Sequence, residues 1–408
     1  MNNYKKTNRQ LLDARGHWGI KCGLDNTQRL LEALDNPQNA FKVVLIAGTN
    51  GKGSTGSFMS HALRACGIKV GWTTSPHLVS PTERIWIDGF SLGQCDLDRL
   101  LGEVFKVEEQ IGIQATYFEL IITAAFLAFR EAKIDIAIVE VGMGGRWDAT
   151  NISNPILTVL TNVEIDHATY LGNTREEIAR EKLCTARSGR PLILGPSLNP
   201  DWVQRLLECH PIILPAQIIQ AAMIAWDHSW VDGHRIGLAG QHQIENLATA
   251  WEALIALRQC GFVVNTGMAW IGIENAVWPG RLWRVPGLSN VFMDGAHNLD
   301  GAKRLAAHAR NTGVRPHIFF SAMGDKDLSG MRAQLVTTEP VAVTLVLGEN
   351  SRYANKDTLK KLWNTDQVLD IPGAVQCLKE PSEHCKLVCG SLYFLGDLLA
   401  AFGIDPVF

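Results

Sequence analysis

The chain alternates short, continuously apolar runs with amphipathic stretches. The runs are FKVVLIAG (41–48), IDIAIVEVG (134–142), PILTVLTNV (155–163), PLILG (191–195), NVFMDG (290–295), PHIFFSAM (316–323), VAVTLVLG (341–348) and LVCGSLYFL (387–395). An uninterrupted apolar run bounded by Gly or Pro suits a strand whose sheet is covered by helices on both faces. After the first run, Phe58, Met59, Ala62, Leu63 and Cys66 recur at helical spacing. The pattern predicts an α/β protein with parallel sheets, whose strand ends present loops to ligands.

Periodicity lapses at PGRLWRVPGLS (279–289), and a new strand–loop–helix series starts at Val291. This predicts a central, P-loop-type parallel-sheet domain over residues 1–284 and a smaller Rossmann-like α/β domain over 285–408. Weak alternation around Asp232 and Gly233 predicts a small hairpin within 224–237. No internal repeat or low-complexity tract is evident.

Composition narrows the function classes. The 408 residues suffice for two or three domains, and 46% hydrophobic with 19% charged residues is a globular balance. Lys and Arg (38) nearly cancel Asp and Glu (41), for a net charge of −3. No basic field favours nucleic acid or an anionic membrane, so any phosphate must be held by a locally built site. The N-terminal MNNYKKTNRQLLDARGHWG lacks the apolar core of a secretory signal, and residues 120–129 are about half of what a membrane span needs. Nine scattered cysteines, with only Cys385 and Cys389 close together, read as core thiols of a reducing compartment, hence the cytoplasm.

Five segments carry chemistry. In VVLIAGTNGKGST, glycines let backbone N–H groups turn toward phosphate, Lys52 adds a point charge and a helix N-terminus adds its dipole. The spacing is not that of a Walker A loop: Ile46 occupies the first glycine slot and Gly53 separates Lys52 from Ser54. The alternative is a glycine-rich turn with an exposed lysine. In TTSPHLVSPTERI, Ser75 is either a hydroxyl ligand to Mg²⁺ or a turn or helix-cap residue. In EVGMGGRWDATN, Glu140 ends a strand expected to be buried on both faces. A carboxylate there is costly unless a cation such as Mg²⁺ or full hydrogen bonding meets it. In TNVEIDHATYLG, Asp166 and His167 follow another strand, and a lone histidine is more often structural than a ligand. VFMDGAHN again ends a strand in Asp, Gly and His.

Together these segments resemble the folylpolyglutamate synthase/dihydrofolate synthase family of the Mur ligase superfamily. The resemblance runs from GLDNTQRLLEAL (23–34) through GTNGKGS, SPHLVSPTERI, TYFE (116–119), EVGMGGRWDATN, DHATYLGNTREEIAREK (166–182), HQIENL (242–247), PGR (279–281) and DGAHN to GSLYFLG (390–396). It implies that ATP phosphorylates a carboxylate and that the α-amine of L-glutamate displaces the phosphate. The resemblance puts Gly51, Lys52, Gly53 and Ser54 on the ATP phosphates, and Ser75 and Glu140 on one Mg²⁺ with His167 on a second. It puts Asn246, Arg281 and Asp294 around ATP, with Arg281 facing the γ-phosphate and Asp294 the nucleoside. His297 would lie near the incoming glutamate. Lys182 matches a lysine that is carbamylated in the superfamily; the alternative is a helix-surface lysine in REEIAREK.

Pteroate or folate would be held by three segments. These are the early loop with Lys21, the TYFE segment with Thr116, Phe118 and Glu119, and the Trp147–Asp148–Ala149 stretch. All three are present, which favours both synthase activities. Lys21 where some members carry an acid, Trp147 in place of the commoner leucine, and EKLCTARSG in place of EKAGI depart from the pattern. Two other readings compete. A cell-wall Mur ligase would need a UDP-binding domain ahead of the loop, where 47 residues stand before Gly48. Against a non-catalytic or regulatory nucleotide-binding protein stands Glu140, a carboxylate that would be destabilising in a buried strand without a metal. Small-molecule substrates and a monomer satisfy all of this.

Overall fold

The computed structural model describes residues 7–16, 23–209, 217–223, 230–231 and 234–406. Among them the chain forms two compact units. The first comprises Met1–Ser75, Pro81–Ile224 and Glu245–Asn275; the second comprises Pro76–Ser80, Ala225–Ile244 and Ala276–Phe408.

The first unit is built on an eight-stranded sheet. Its strands are β1 (Lys42–Ala47), β2 (Val70–Thr73), β3 (Ile85–Ile87), β4 (Phe90–Ser91), β5 (Ile136–Glu140), β6 (Leu157–Leu160), β7 (Pro191–Leu194) and β8 (Gln217–Gln220). They lie in the order β4-β3-β2-β5-β1-β6-β7-β8. From β2 to β8 every pairing is parallel, and only the edge pairs β2–β3 and β3–β4 are antiparallel. All five residues of β5 and five of six in β1 are buried, as the uninterrupted apolar runs require.

The helix Tyr117–Ala132 explains the long apolar stretch of the sequence. Leu120, Ile121, Ile122, Phe126 and Phe129 are buried in the core of this unit, and no described helix is long and apolar enough to cross a membrane. Strand order positions the site. β1 has β5 on one flank and β6 on the other, so the loops after these three strands leave the carboxyl edge side by side.

In the second unit, the expected hairpin is β9 (Trp230–Val231) paired antiparallel with β10 (His234–Arg235), its turn lying outside the described residues. The unit's sheet comprises β11 (Trp283–Arg284), β12 (Val291–Asp294), β13 (His317–Phe320), β14 (Ala342–Leu347), β15 (Val368–Asp370) and β16 (Lys386–Cys389). Their order is β11-β12-β16-β13-β14-β15, with β11 antiparallel and the others parallel.

Two sequence expectations shift here. The second unit takes in Ala276 onward, earlier than residue 285, because Trp283 and Arg284 pair with Met293 and Phe292 as part of its sheet. The run LVCGSLYFL is not one strand. It divides at Gly390, which has φ +115° and lies against the Ser321 carbonyl, and Ser391 caps the helix Leu392–Phe402.

Candidate active site

The loop after β1 is shaped by contacts that only glycine permits. Gly48 has φ +148°, and a Cβ there would lie 1.9 Å from Thr161 Oγ1. Gly51, at φ +85°, starts the helix Lys52–Ala65 as its N-cap; a Cβ there would lie 2.2 Å from Asn246 Oδ1. The residues after β6 strap the loop down. Asn50 N donates to Asn162 Oδ1 (2.8 Å), Thr161 Oγ1 to the Asn50 carbonyl (2.6 Å), and Thr49 Oγ1 to the Glu164 carbonyl (3.1 Å).

No side chain caps the helix that follows. Its first-turn N–H groups and positive dipole end therefore suit phosphate oxygens, with Asn246 alongside. Gly48→Ala is expected to lose nucleotide binding at least tenfold, because neither the backbone angle nor the Thr161 hydroxyl leaves room for a methyl group. Calorimetric titration with an ATP analogue checks this, and wild-type affinity would refute it.

Two lysines meet at this loop. Lys52 Nζ donates to the carbonyls of Gly48 (3.0 Å) and Thr49 (3.1 Å). Lys182 Nζ, from the helix Arg175–Leu183, donates to the same Gly48 carbonyl (3.1 Å). Lys182 is 4% exposed, so it is no helix-surface lysine. Burial chiefly, and then the neighbouring Lys52 charge, push its pKa down to about 7, against the pull of Asp166 and Asp148. Its helix comes close because Gly145 in the loop after β5 lies against it: a Cβ there would meet the Glu181 carbonyl at 2.6 Å.

Glu140, the last residue of β5, is buried and accepts a 2.6 Å hydrogen bond from Thr74 Oγ1. The parallel register sets this contact, since Thr73 of β2 lies opposite Val139. Thr74, not the adjacent Ser75, is the hydroxyl on the carboxylate. Sequence reasoning missed it because the pairing joins segments 66 residues apart. Ser75 is partly buried immediately after it. His167 adopts φ +51° ahead of the short helix Ala168–Leu171, with its side chain 39% exposed and its N–H bonded to Asp166 Oδ1 at 2.8 Å. Among the described residues no group of three or more His, Cys, Asp or Glu side chains gathers as a metal cluster. A buried carboxylate with an adjacent hydroxyl still offers hard oxygen donors that fit a divalent cation beside phosphate.

The residues expected at pteroate or folate are largely engaged in holding the backbone. Thr116 and Glu119 form a reciprocal capping box at the helix Tyr117–Ala132, and Thr27 and Asn26 also donate to Glu119. The T-x-x-E spacing carries that signature, so the cap was readable in the sequence. Asp148 accepts from Met143 N, Thr150 N and Thr150 Oγ1, capping the turn Ala149–Ile152; burial pushes its pKa up while those bonds oppose the shift. Phe118 lies against Gly142, and Trp147 is 50% exposed beside Asp148. Lys21 lies outside the described residues.

In the second unit, Asp294 ends β12, accepting from Leu282 N (2.8 Å) and Ala296 N (2.9 Å). Burial raises its pKa, and Arg281 acts against that. Arg281 donates to its neighbour's carbonyl at Gly280 (2.9 Å) and crosses Gly295, where a Cβ would come within 2.5 Å of Nη1. His297 Nδ1 lies 2.8 Å from the Gly295 carbonyl, and Asn298 caps the helix Leu299–Asn311. Arg281, Asp294 and His297 thus form one cluster of this unit. Lys52, Asn246, Lys182 and the glycine loop form a cluster of the first, with Glu140 and Ser75 on neighbouring strand ends.

Comparison with known proteins agrees with this geometry. A Mur ligase middle domain matches residues 46–184. The chain is 31% identical over 421 residues to the Bacillus subtilis dihydrofolate synthase/folylpolyglutamate synthase, covering 96% of this chain and 97% of that one. It is structurally similar to Escherichia coli FolC in complex with DHPP and ADP, with a TM-score of 0.84, 28% identity and 98% of both chains covered. It also resembles the Yersinia pestis bifunctional folylpolyglutamate synthase/dihydrofolate synthase complexed with AMPPNP and Mn ion. There the TM-score is 0.84 and identity 26%, covering 98% of this chain and 99% of that one.

Fold and site define an ATP-dependent ligase with a Mur ligase middle domain. More particularly, the chain belongs to the dihydrofolate synthase/folylpolyglutamate synthase family, whose reaction is the ATP-dependent addition of glutamate.

Proposed function

We propose that this ligase acts on both dihydropteroate and reduced folate (poly)glutamates, with Mg²⁺ as its metal, as a cytoplasmic monomer. The observation that carries the reading is the array at the carboxyl edge of the first sheet. An uncapped helix N-terminus, two lysines on one carbonyl and a buried glutamate converge there from adjacent strand ends.

In the proposed reaction, a substrate carboxylate oxygen attacks the γ-phosphorus of ATP and ADP leaves. The glutamate α-amine then attacks the acyl carbon, forming the amide as phosphate departs and the amine proton is released. Gly51, Gly53 and Ser54 hold the phosphates through backbone N–H groups and the hydroxyl, and Lys52 leaves its loop carbonyls to follow the transferred phosphoryl group. Arg281 presents its planar fork to phosphate, Asn246 lies around ATP beside the glycine loop, Asp294 contacts the nucleoside, and His297 contacts glutamate. Ser75 and Glu140 would hold one Mg²⁺ and His167 would hold a second. Bound Mg²⁺ would supply the charge neutralisation that phosphoryl transfer needs. Lys182, once carbamylated, supplies an anion to support a metal. Thr116, Glu119 and Asp148 fix the walls that present Phe118 and Trp147 to the pteroate or folate rings, and Lys21 contacts the same substrate.

The test gives purified protein ATP, Mg²⁺ and glutamate with dihydropteroate, a reduced folate or a UDP-muramoyl peptide. Phosphate release with the first two is expected. Release with folate alone would restrict the enzyme to polyglutamylation, and release only with the peptide would refute the reading. Light scattering at the monomer mass checks the oligomeric state.

A further inference from the structure

Residues 113–116 lead into the helix Tyr117–Ala132 and lie in no helix or strand themselves, so their backbone groups need partners elsewhere. Side chains supply them. The Gln114 carbonyl accepts from Asn26 Nδ2 (2.9 Å), and Thr116 N donates to Glu119 Oε2 (2.6 Å). Ala115, buried between them, has both backbone groups taken by one ion pair. Its N–H donates to Glu108 Oε1 (2.6 Å), and its carbonyl accepts from Arg15 Nη1 (3.2 Å). Arg15 Nη2 meets Glu108 Oε2 at 2.6 Å and closes the ring of contacts.

Both members of the pair are themselves held. Glu108 is buried on the helix Gln94–Ile111, and Arg15 stacks over Phe105 of the same helix, 5.8 Å from the ring centroid. Arg15 follows the short helix Asn8–Asp13, whose start is tied to that longer helix. There Asn8 Nδ2 donates to the Asp98 carbonyl (2.9 Å) and Arg9 N to Asp98 Oδ1 (3.2 Å). A buried ion pair is weak support for stability, because desolvation offsets much of its attraction. What a guanidinium fork on a carboxylate does supply is fixed geometry. Here it fixes Ala115, three residues ahead of Phe118. Phe118 is half-buried in the first turn of its helix and reaches the loop after β5, where a Cβ on Gly142 would lie 2.7 Å from Cζ. A shift at Ala115 therefore moves the ring that stands two residues along the chain from the end of the Glu140 strand.

We propose that Arg15 and Glu108 are positioning residues for the pteroate or folate subsite. By holding Ala115 through both its backbone groups, they set where Phe118 stands against the rings of the substrate. The inference deepens the proposed function and rests on its placing of Phe118 at those rings.

The test is steady-state phosphate release by the full-length protein, with dihydropteroate or reduced folate, ATP and glutamate varied in turn. Arg15→Met, Phe118→Ala and the double variant are compared. Each single substitution is expected to raise KM for the dihydropteroate or folate by about fivefold or more, with KM for ATP and for glutamate within about twofold of wild type. A merely structural loss would leave fewer folded molecules, which lowers apparent kcat and leaves every KM in place. Because Arg15 acts through Phe118, the double variant should lie within about twofold of the more impaired single one. An unchanged KM for dihydropteroate or folate in Arg15→Met would overturn the proposal, as would effects that multiply in the double variant. If Arg15→Met does not fold, Glu108→Gln decides. It keeps an oxygen for Ala115 N but loses the charge that grips Arg15, so the same KM should rise by about twofold or more; an unchanged value overturns the proposal. Phe118→Ala separates the two levels of inference. A wild-type KM there would remove Phe118 from the substrate wall and refute that part of the proposed function. An impaired Phe118→Ala beside an unimpaired Arg15→Met would refute only the positioning role.

Discussion

Glu140→Gln is expected to lower kcat by about a hundred- to a thousand-fold, the scale on which removing one charge-stabilising group acts in comparable sites. The substitution is nearly isosteric. Its amide oxygen can still accept the Thr74 hydroxyl, so the hydrogen bond that anchors the side chain persists. What disappears is the negative charge at the end of β5, and a neutral amide holds a hard divalent cation poorly. Phosphate-release kinetics across a Mg²⁺ series, with a thermal melt in parallel, check this. The melting midpoint should stay within a few degrees of wild type while the Mg²⁺ requirement rises. Near-normal turnover at ordinary Mg²⁺ would remove Glu140 from the metal site.

The second large effect is expected at Lys182. Its amine titrates at about 7 instead of 10.5, so near neutral pH about half of it is unprotonated and able to attack CO₂. Attack forms the N–C bond and releases a proton, turning a buried cation into an anion. Lys182→Ala should lose roughly a hundredfold or more in kcat, as for other charged groups at a reacting phosphate, and a short added carboxylate should restore part of it. A carbamate signal in ¹³C spectra of enzyme supplied with labelled bicarbonate is the direct observable. Active enzyme lacking that signal would refute the modification.

The same titration fixes the pH dependence. Activity should fall as pH drops below about 7, where the amine is protonated. In CO₂-depleted buffer, the unfolded chain binds more protons than the folded one between about pH 7 and 10.5. Folding stability arising from this group should therefore rise with pH across that window and level off below it.

Much of this site was legible because its determinants are local. The strand–glycine–lysine–helix order over 41–66 predicts β1, its loop and the following helix, and all three form over those residues. The Glu140 argument needed only a carboxylate at the end of an apolar run, and that residue is buried. Shorter strands were not legible. Val70–Thr73 carries Gly71, packed where a Cβ would meet Ile134 and Phe129, and this interrupts the apolar signal that marks the other parallel strands. The TYFE segment was readable in two ways. The resemblance points Thr116 and Glu119 toward substrate, while their T-x-x-E spacing is that of the helix cap they form.

The sequence by itself determined the α/β class, the glycine loop and the identity of the strand-end residues, because each follows from periodicity or from the conformations glycine allows within a few residues. Only the tertiary structure decided how those residues are charged and paired. Lys182 meets Gly48 across 134 positions of chain, and Asn50 meets Asn162 across 112. The lysine's lowered pKa comes from its burial and from the nearby Lys52, which β-strand order and the close approach at Gly145 bring about. Desolvation and Coulomb forces depend on distance in space, which sequence spacing does not record.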